Sequence, residues 1–161
     1  MMNLWENYSQ GANPFISASR ILEVTASAGN QQLKNERGKQ FWIQTMIPAI
    51  VMKAFSCELM LKALIAYEKE ETIRGHKLNE LFHQLSSTLQ ASLSSKIVSR
   101  LRTGNPNYSL IEFEKDLNDA ADLFVDWRYF FETAVGSEKT VNLTFLDILF
   151  NELESQKKLL S

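Results

Sequence analysis

The chain has 161 residues, 45% of them hydrophobic, and 17 Lys plus Arg against 19 Asp plus Glu, a formal charge of −2. That length suits one domain with a real core, and that hydrophobic content excludes a disordered chain. A charge balance so close to zero does not advertise nucleic-acid binding, although it leaves room for a local basic patch.

Residues 1–12 are polar with Trp5 and Tyr8 among them, and are expected to form a partly ordered lead-in. The opening MMNLWENYSQGANPF has no basic segment followed by an apolar one, so no secretory signal is expected. Asn13-Pro14 reads as a helix start, a capping residue followed by proline in the first turn. The helix expected from it spans 14–29 and carries Ile16, Ile21, Leu22 and Val24. Gly29-Asn30 ends or weakens it.

The stretch Thr45 to Tyr67, TMIPAIVMKAFSCELMLKALIAY, organises the rest. Between Pro48 and Ala66 only Lys53, Ser56, Glu58 and Lys62 carry strong polar groups. A helix apolar on nearly every side is a central helix surrounded by others. Its charges also break the run too often for a membrane span. Cys57, the single cysteine, forbids an internal disulfide and fits a reducing cytoplasm. Placed inside this helix, it reads as a small core residue rather than a nucleophile.

EKEETIRGH at 68–76 is a charged connection. Lys77 to Leu85 predicts a short amphipathic helix with Leu78, Leu81, Phe82 and Leu85 inward. A second runs over about 89–102, with Leu89, Leu93, Ile97, Val98 and Leu101 inward. Thr103 to Asn107 is a loop. Ser109 and Glu112 form a capping box that opens a long helix, expected to reach about Thr133. Its apolar stripe is Leu110, Phe113, Leu117, Ala121, Phe124 and Phe131. Asn142 is expected to cap the last helix, with Leu146, Leu149, Phe150 and Leu153 inward. No alternating strand pattern occurs, so the chain is expected to be all-α, a single domain over 1–161 with about six helices.

Two charged pairs fall on apolar faces. Glu58 and Lys62 share a face of the central helix with Val51, Phe55 and Ile65, four residues apart in the favourable orientation. Arg128 lies four residues after Phe124 and eleven after Leu117, on the centre of the late apolar stripe, with Glu132 near its edge. If these helices pack together, Arg128 meets Glu58 and Lys62 meets Glu132. One reading is a buried ion network that fixes register. The other is a polar site, at a groove or dimer seam, that binds or cuts a phosphate-bearing ligand. Arginine suits such a site because its planar fork satisfies a carboxylate or phosphate with two bonds. Tyr129 and Trp127 flank it, explained by helix packing or, less simply, by base stacking.

Of the two histidines, His76 sits at the start of a short helix, where capping or surface hydrogen bonding is its simplest role, and His83 reads as a partly exposed helix residue. Two histidines without a cysteine pair make a poor metal site, so no metal is expected. No Gly-rich phosphate loop or nucleophile elbow is present, so no cofactor is expected either.

AFSCELMLKALIAYEK at 54–69, GHKLNELFHQL at 75–85 and FVDWRYFFE at 124–132, in that order, resemble prokaryotic HEPN-domain proteins, with the likeness covering roughly residues 40–150. The resemblance implies a bundle of four to five core helices plus short ones, commonly a homodimer. It also implies a toxin–antitoxin, phage-defence or RNA-processing setting. In ribonuclease members of the family an Arg is followed four to six residues later by His, and the RNA supplies its own 2′-hydroxyl without metal. This chain departs from that motif. The positions that would need Arg are Lys69, Glu70 and Glu71 before His76, and His76, Lys77 and Leu78 before His83. The positions after Arg128 that would need His are Thr133, Ala134 and Val135.

The resemblance therefore implies first an atypical module, not an enzyme, that binds RNA, a nucleotide or a protein partner through Arg128, Lys62, Glu58, Glu132, Tyr129 and His76. A second possibility it opens is a metal-independent ribonuclease toxin with a rearranged site of Arg128, His76 and Glu58. A third is a structural partner of a nucleotidyltransferase.

Overall fold

The computed structural model describes residues 3–32, 36–123 and 141–160. The chain is an all-α bundle. Its described helices are α1 (Leu4–Gln32), α2 (Glu36–Lys69), α3 (Leu78–Phe82), α4 (Ser87–Leu101), α5 (Leu110–Asp119) and α6 (Leu143–Lys158). No strand occurs among the described residues.

α2 is the centre. Met60 to Ala66 are all buried, as are Ala54, Ser56, Cys57 and Glu58. Its main neighbours are α1, α6 and α3, with α4 packed on α6 and α5 on α4 and α3. The contacts Trp5–Tyr67, Phe15–Phe55 and Gly29–Phe41 run in opposite order along α1 and α2, so the two helices are antiparallel. On α1, Ala12, Ser19 and Ala26 recur every seven residues. On α2, Ala49, Ser56 and Ala63 do the same, and all six are fully buried. The register brings these two rows of small side chains opposite each other. Small residues on facing rows let the two backbones approach closely over the length of the hairpin.

That pairing explains two departures from the sequence expectations. Residues 4–12 are helical rather than a loose lead-in, and α2 begins at Glu36 rather than near Thr45. Pro14 and Pro48 lie inside their helices and withhold the amides that would meet the Gln10 and Gln44 carbonyls. An interior proline costs about 3 kcal/mol. Burial of Ala12 and partial burial of Leu4, Trp5 and Tyr8 against the core offset that for α1. Gly29 likewise does not end its helix. A Cβ there would stand 2.2 Å from the Phe41 ring, so the glycine makes room for α2.

The later elements are shorter than their periodicity suggests. α3 stops at Phe82, and Leu85, buried as expected, follows it in a turn. α5 carries the expected capping box, with the Ser109 amide donating to Glu112 at 2.6 Å, but Ala120 caps it and 120–122 are turns. Leu110, expected on the apolar stripe, is exposed because the first turn of α5 precedes its contact with the core. Phe82, Phe113 and Phe145 join α3, α5 and α6 through tilted and edge-on ring contacts of 5.3 and 5.7 Å. Asn142 caps α6, accepting from the Phe145 amide at 3.1 Å, and the four inward residues expected of α6 are buried. No helix among the described residues is long and apolar enough to cross a membrane.

Charged cross-links fix the register of the long helices. Lys53 of α2 is buried between Glu23 of α1 and Asp147 of α6, and lies over the Phe150 ring. Burial alone would lower its pKa. The two carboxylates outweigh that and hold it above its ordinary value. Arg20 grips Glu154 with two bonds of 3.2 and 2.6 Å. Burial pushes the Glu154 carboxyl up, but Arg20 and then Lys158 hold it below its ordinary value of 4.5. A carboxylate depressed on folding stabilises the fold above that ordinary value, and the contribution is lost as pH falls through the depressed one. The wild type is therefore expected to lose more stability than Glu154→Gln as pH drops below about 4.5, read by urea denaturation at stepped pH.

Candidate functional site

Glu58 and Lys62 occupy successive turns of α2, and Lys62 Nζ donates to Glu58 Oε1 at 2.8 Å. Their side chains are 2% and 8% exposed. The same oxygen is 2.9 Å from Nδ1 of His76, whose side chain is 65% exposed. Glu58 Oε2, also buried, has no hydrogen-bond partner among the described residues. The expected Glu58–Lys62 pair is thus present, and His76 completes a three-residue cluster around one carboxylate.

Loop 70–77 sets this geometry. Glu70 turns the chain out of α2 with φ 54°. Ile73 is buried and plugs the loop into the core, and the Tyr8 hydroxyl donates to its carbonyl at 3.5 Å. Gly75 has φ +94°, a region that only glycine occupies without cost, and directs His76 back towards α2. The Leu78 amide then donates to the Ala121 carbonyl at 3.1 Å, fixing the far end of the loop. Open space surrounds a Cβ built on Gly75, so the constraint there is conformational, not steric. Gly75→Ala is expected to cost about 1–2 kcal/mol, the penalty of a left-handed residue, and to loosen His76. Thermal denaturation checks the first effect and the His76 imidazole NMR signals the second.

A histidine nitrogen facing a carboxylate carries the proton, so Nδ1–H donates to Glu58. Nε2, across the ring, is then free to accept a proton or a hydrogen bond. Arg74 and Lys77 are exposed on either side of His76, with Lys77 3.6 Å from Glu80 and exposed Glu70 and Glu71 at the start of the loop. The pair beneath it is neutral in sum. The arrangement offers an anion the exposed Arg74 and a fixed, solvent-facing imidazole.

Of the two simple roles read for His76, capping is not met, because the N-cap of α3 is Lys77 with no side-chain cap bond, whereas the ring is exposed and contacts Glu58. His83 is half exposed as expected, 3.2 Å from Glu114 and away from this cluster. Arg128, Tyr129 and Glu132, with the contacts expected between Arg128 and Glu58 and between Lys62 and Glu132, lie outside the described residues. Cys57 is fully buried, and burial holds its thiol protonated well above the ordinary range, consistent with a packing role. Among the described residues no group of three potential ligands could hold a metal ion.

A separate cleft of about 520 Å³ lies between the end of α4 and the starts of α5 and α6. Its Asp116 carboxylate is already engaged by the Tyr108 hydroxyl at 2.7 Å and by Asn142 at 2.8 Å. Burial and that carboxylate push the Tyr108 phenol up, so it stays a donor. These bonds tie α5 to α6 and read as structural.

Protein-family models, curated proteins and solved structures contain no match to this chain. The HEPN resemblance therefore rests on the three sequence segments alone.

Proposed function

We propose that the chain is an atypical HEPN-like module that binds a phosphate-bearing ligand of the RNA or nucleotide class at Glu58, Lys62 and His76. The observation that carries this reading is an exposed imidazole held by an almost fully buried ion pair. A buried Glu–Lys pair adds little net stability, and apolar replacements of such pairs are often neutral or better. A network that only fixed register would not need a solvent-facing histidine at its end. In this reading His76, Arg74 and Lys77 meet the phosphate, and Lys62 and Glu58 hold the imidazole in place beneath them.

The Nδ1 contact favours a second reading, metal-independent RNA cleavage. His76 Nε2 would take the proton of a ribose 2′-hydroxyl as that oxygen attacks the phosphorus. The bond from phosphorus to the 5′-oxygen would break and that oxygen would take a proton from solvent water, giving a cyclic phosphate and a 5′-hydroxyl. Glu58 would hold the ring in place through the Nδ1 contact.

Purified protein, wild type and the His76→Ala and Arg128→Ala variants, is to be incubated with total cellular RNA in the presence of a chelator and also assayed for RNA retention. Retention without cleavage, weakened in the variants, is expected of the binding module. Cleavage lost in both folded variants would establish the second reading instead. A folded wild type that neither retains nor cleaves RNA or mononucleotides overturns both.

A further inference from the structure

We infer that the cleft between α4, α5 and α6 is a second binding site, for a small molecule with a primary ammonium group at one end and hydroxyl or carbonyl oxygens at the other. The inference stands on the cleft alone and does not depend on what the Glu58 site binds.

The cleft, about 520 Å³, falls within the size range of small-molecule sites, roughly 300–1,000 Å³. Buried Leu101 gives it an apolar side. Glu112 and Asp116 line it from α5, four residues apart and so on one face of that helix. Each carboxylate is held through one oxygen only. Oε2 of Glu112 accepts from the Ser109 amide and hydroxyl. Oδ2 of Asp116 accepts from the Tyr108 phenol and the Asn142 side-chain amide. All four donors are neutral groups. Glu112 Oε1 and Asp116 Oδ1 have no hydrogen-bond partner among the described residues. The clamps therefore orient two charges that oppose each other at this spacing, and leave one oxygen of each to spare. The Ser109 hydroxyl, and then its amide, also hold the Glu112 carboxyl below its ordinary value, so it is ionised at neutral pH. Lys115, the cation in the lining, is paired with Asp119 at 2.7 Å and 71% exposed. Its field reaches Asp116, but it makes no ion pair there.

The free valences choose the ligand. α5 and α6 both start at the cleft, and a bare helix start would favour an anion. Both starts are capped instead: Ser109 Oγ accepts from the Ile111 amide and Asn142 Oδ1 from the Phe145 amide. What remains on this side is two acceptors with negative charge, so the ligand must donate and be cationic. An ammonium group supplies three donors and one charge. A metal ion fits less well, because no group of three potential ligands for one occurs among the described residues. Away from α5 the lining changes character. Asn105 Oδ1 accepts from the Asn107 amide at 3.2 Å, which leaves its Nδ2 to donate. The Thr144 hydroxyl, exposed in the first turn of α6, has no partner among the described residues. These two groups call for oxygen atoms on the far end of the ligand. The lining thus suits an amino sugar or amino alcohol better than an alkyl diamine.

Amide NMR shifts of the full chain, titrated with glucosamine and with glucose as its neutral counterpart, test the inference. Glucosamine is expected to move the amides of Gly104, Asn105, Lys115 and Thr144 with a Kd of about 1 mM or tighter, and glucose to bind at least about tenfold more weakly. Glu112→Gln removes a charge but keeps the capping box, which glutamine also closes. It is expected to weaken glucosamine at least about tenfold while circular dichroism stays unchanged. Thr144→Phe sets a ring in the cleft from an exposed position and is expected to abolish binding. Glucosamine that leaves these amides still overturns the inference, as does glucose that binds equally well. So does either variant, folded, that binds glucosamine as the wild type does. Magnesium ion that moves the same amides at lower concentration than glucosamine overturns it too, by making the cleft a metal site.

Discussion

Glu58→Ala is expected to cost roughly 3–5 kcal/mol, the largest stability loss of any single change at the candidate site. Its removal strands Lys62 in the core, where the side chain is 8% exposed, without the carboxylate 2.8 Å away that neutralises it. The cost is that of an uncompensated buried charge, not the net worth of the pair. Two comparisons separate these. Removing both charges together, with Glu58→Leu and Lys62→Met, is expected to be near neutral, because well-packed apolar groups replace a buried pair with little loss. His76→Ala is expected to cost no more than about 0.5 kcal/mol, as the ring is largely in water and an exposed contact contributes little. Urea denaturation of the four proteins gives the comparison. A double variant as unstable as Glu58→Ala would show that the pair is held for stability, and would weaken the case for a site.

Ser56→Leu is expected to destabilise the chain by about 3 kcal/mol, at the upper end of the range for overpacking. Ser56 is fully buried and, among the described residues, bonds only its own helix, donating to the Met52 carbonyl at 2.7 Å. It stands where α2 meets the small-residue row of α1, and the larger leucine side chain must displace its neighbours. The hairpin must separate there, which strains its flanking contacts, Phe15 on Phe55 and Lys53 with Glu23. Ser19→Ala, in the facing row, is expected to do the opposite. Its hydroxyl is buried with no hydrogen-bond partner among the described residues, so losing it is neutral or stabilising by up to about 1 kcal/mol. Thermal unfolding of both variants checks the pair. A tolerated Ser56→Leu would mean that the helices are not closely packed at that level.

Much of the fold was legible in the sequence. The all-round apolar character of Pro48 to Ala66 marked α2 as central, and the Ser109–Glu112 and Asn142 caps stand where their chemistry placed them. The errors came from local rules overridden by long-range packing. Asn13-Pro14 carries a start signal, and Gly29-Asn30 a stop signal, yet both lie inside α1. The row Ala12, Ser19, Ala26 and its counterpart Ala49, Ser56, Ala63 were in the sequence, but small residues look unremarkable until two helices are aligned antiparallel. At the site, Glu58 and Lys62 were visible as charges on an apolar face. The meeting of His76 with Glu58 was not, because it depends on the left-handed turn at Gly75 and the burial of Ile73. Lys53 was visible as a polar group within α2, but its partners Glu23 and Asp147 come from distant helices.

The measurement that tests the Glu58–His76 site most directly is nitrogen NMR of the His76 imidazole, in wild type and Glu58→Gln, during titration with a short RNA oligonucleotide. The wild type is expected to show the proton on Nδ1 and a bare Nε2 before ligand is added, a clear shift of the His76 nitrogens as RNA binds, and a smaller shift in Glu58→Gln. A folded wild type with the proton on Nε2, or His76 nitrogens that stay still while RNA binds elsewhere, would contradict the assignment of this cluster as the ligand site.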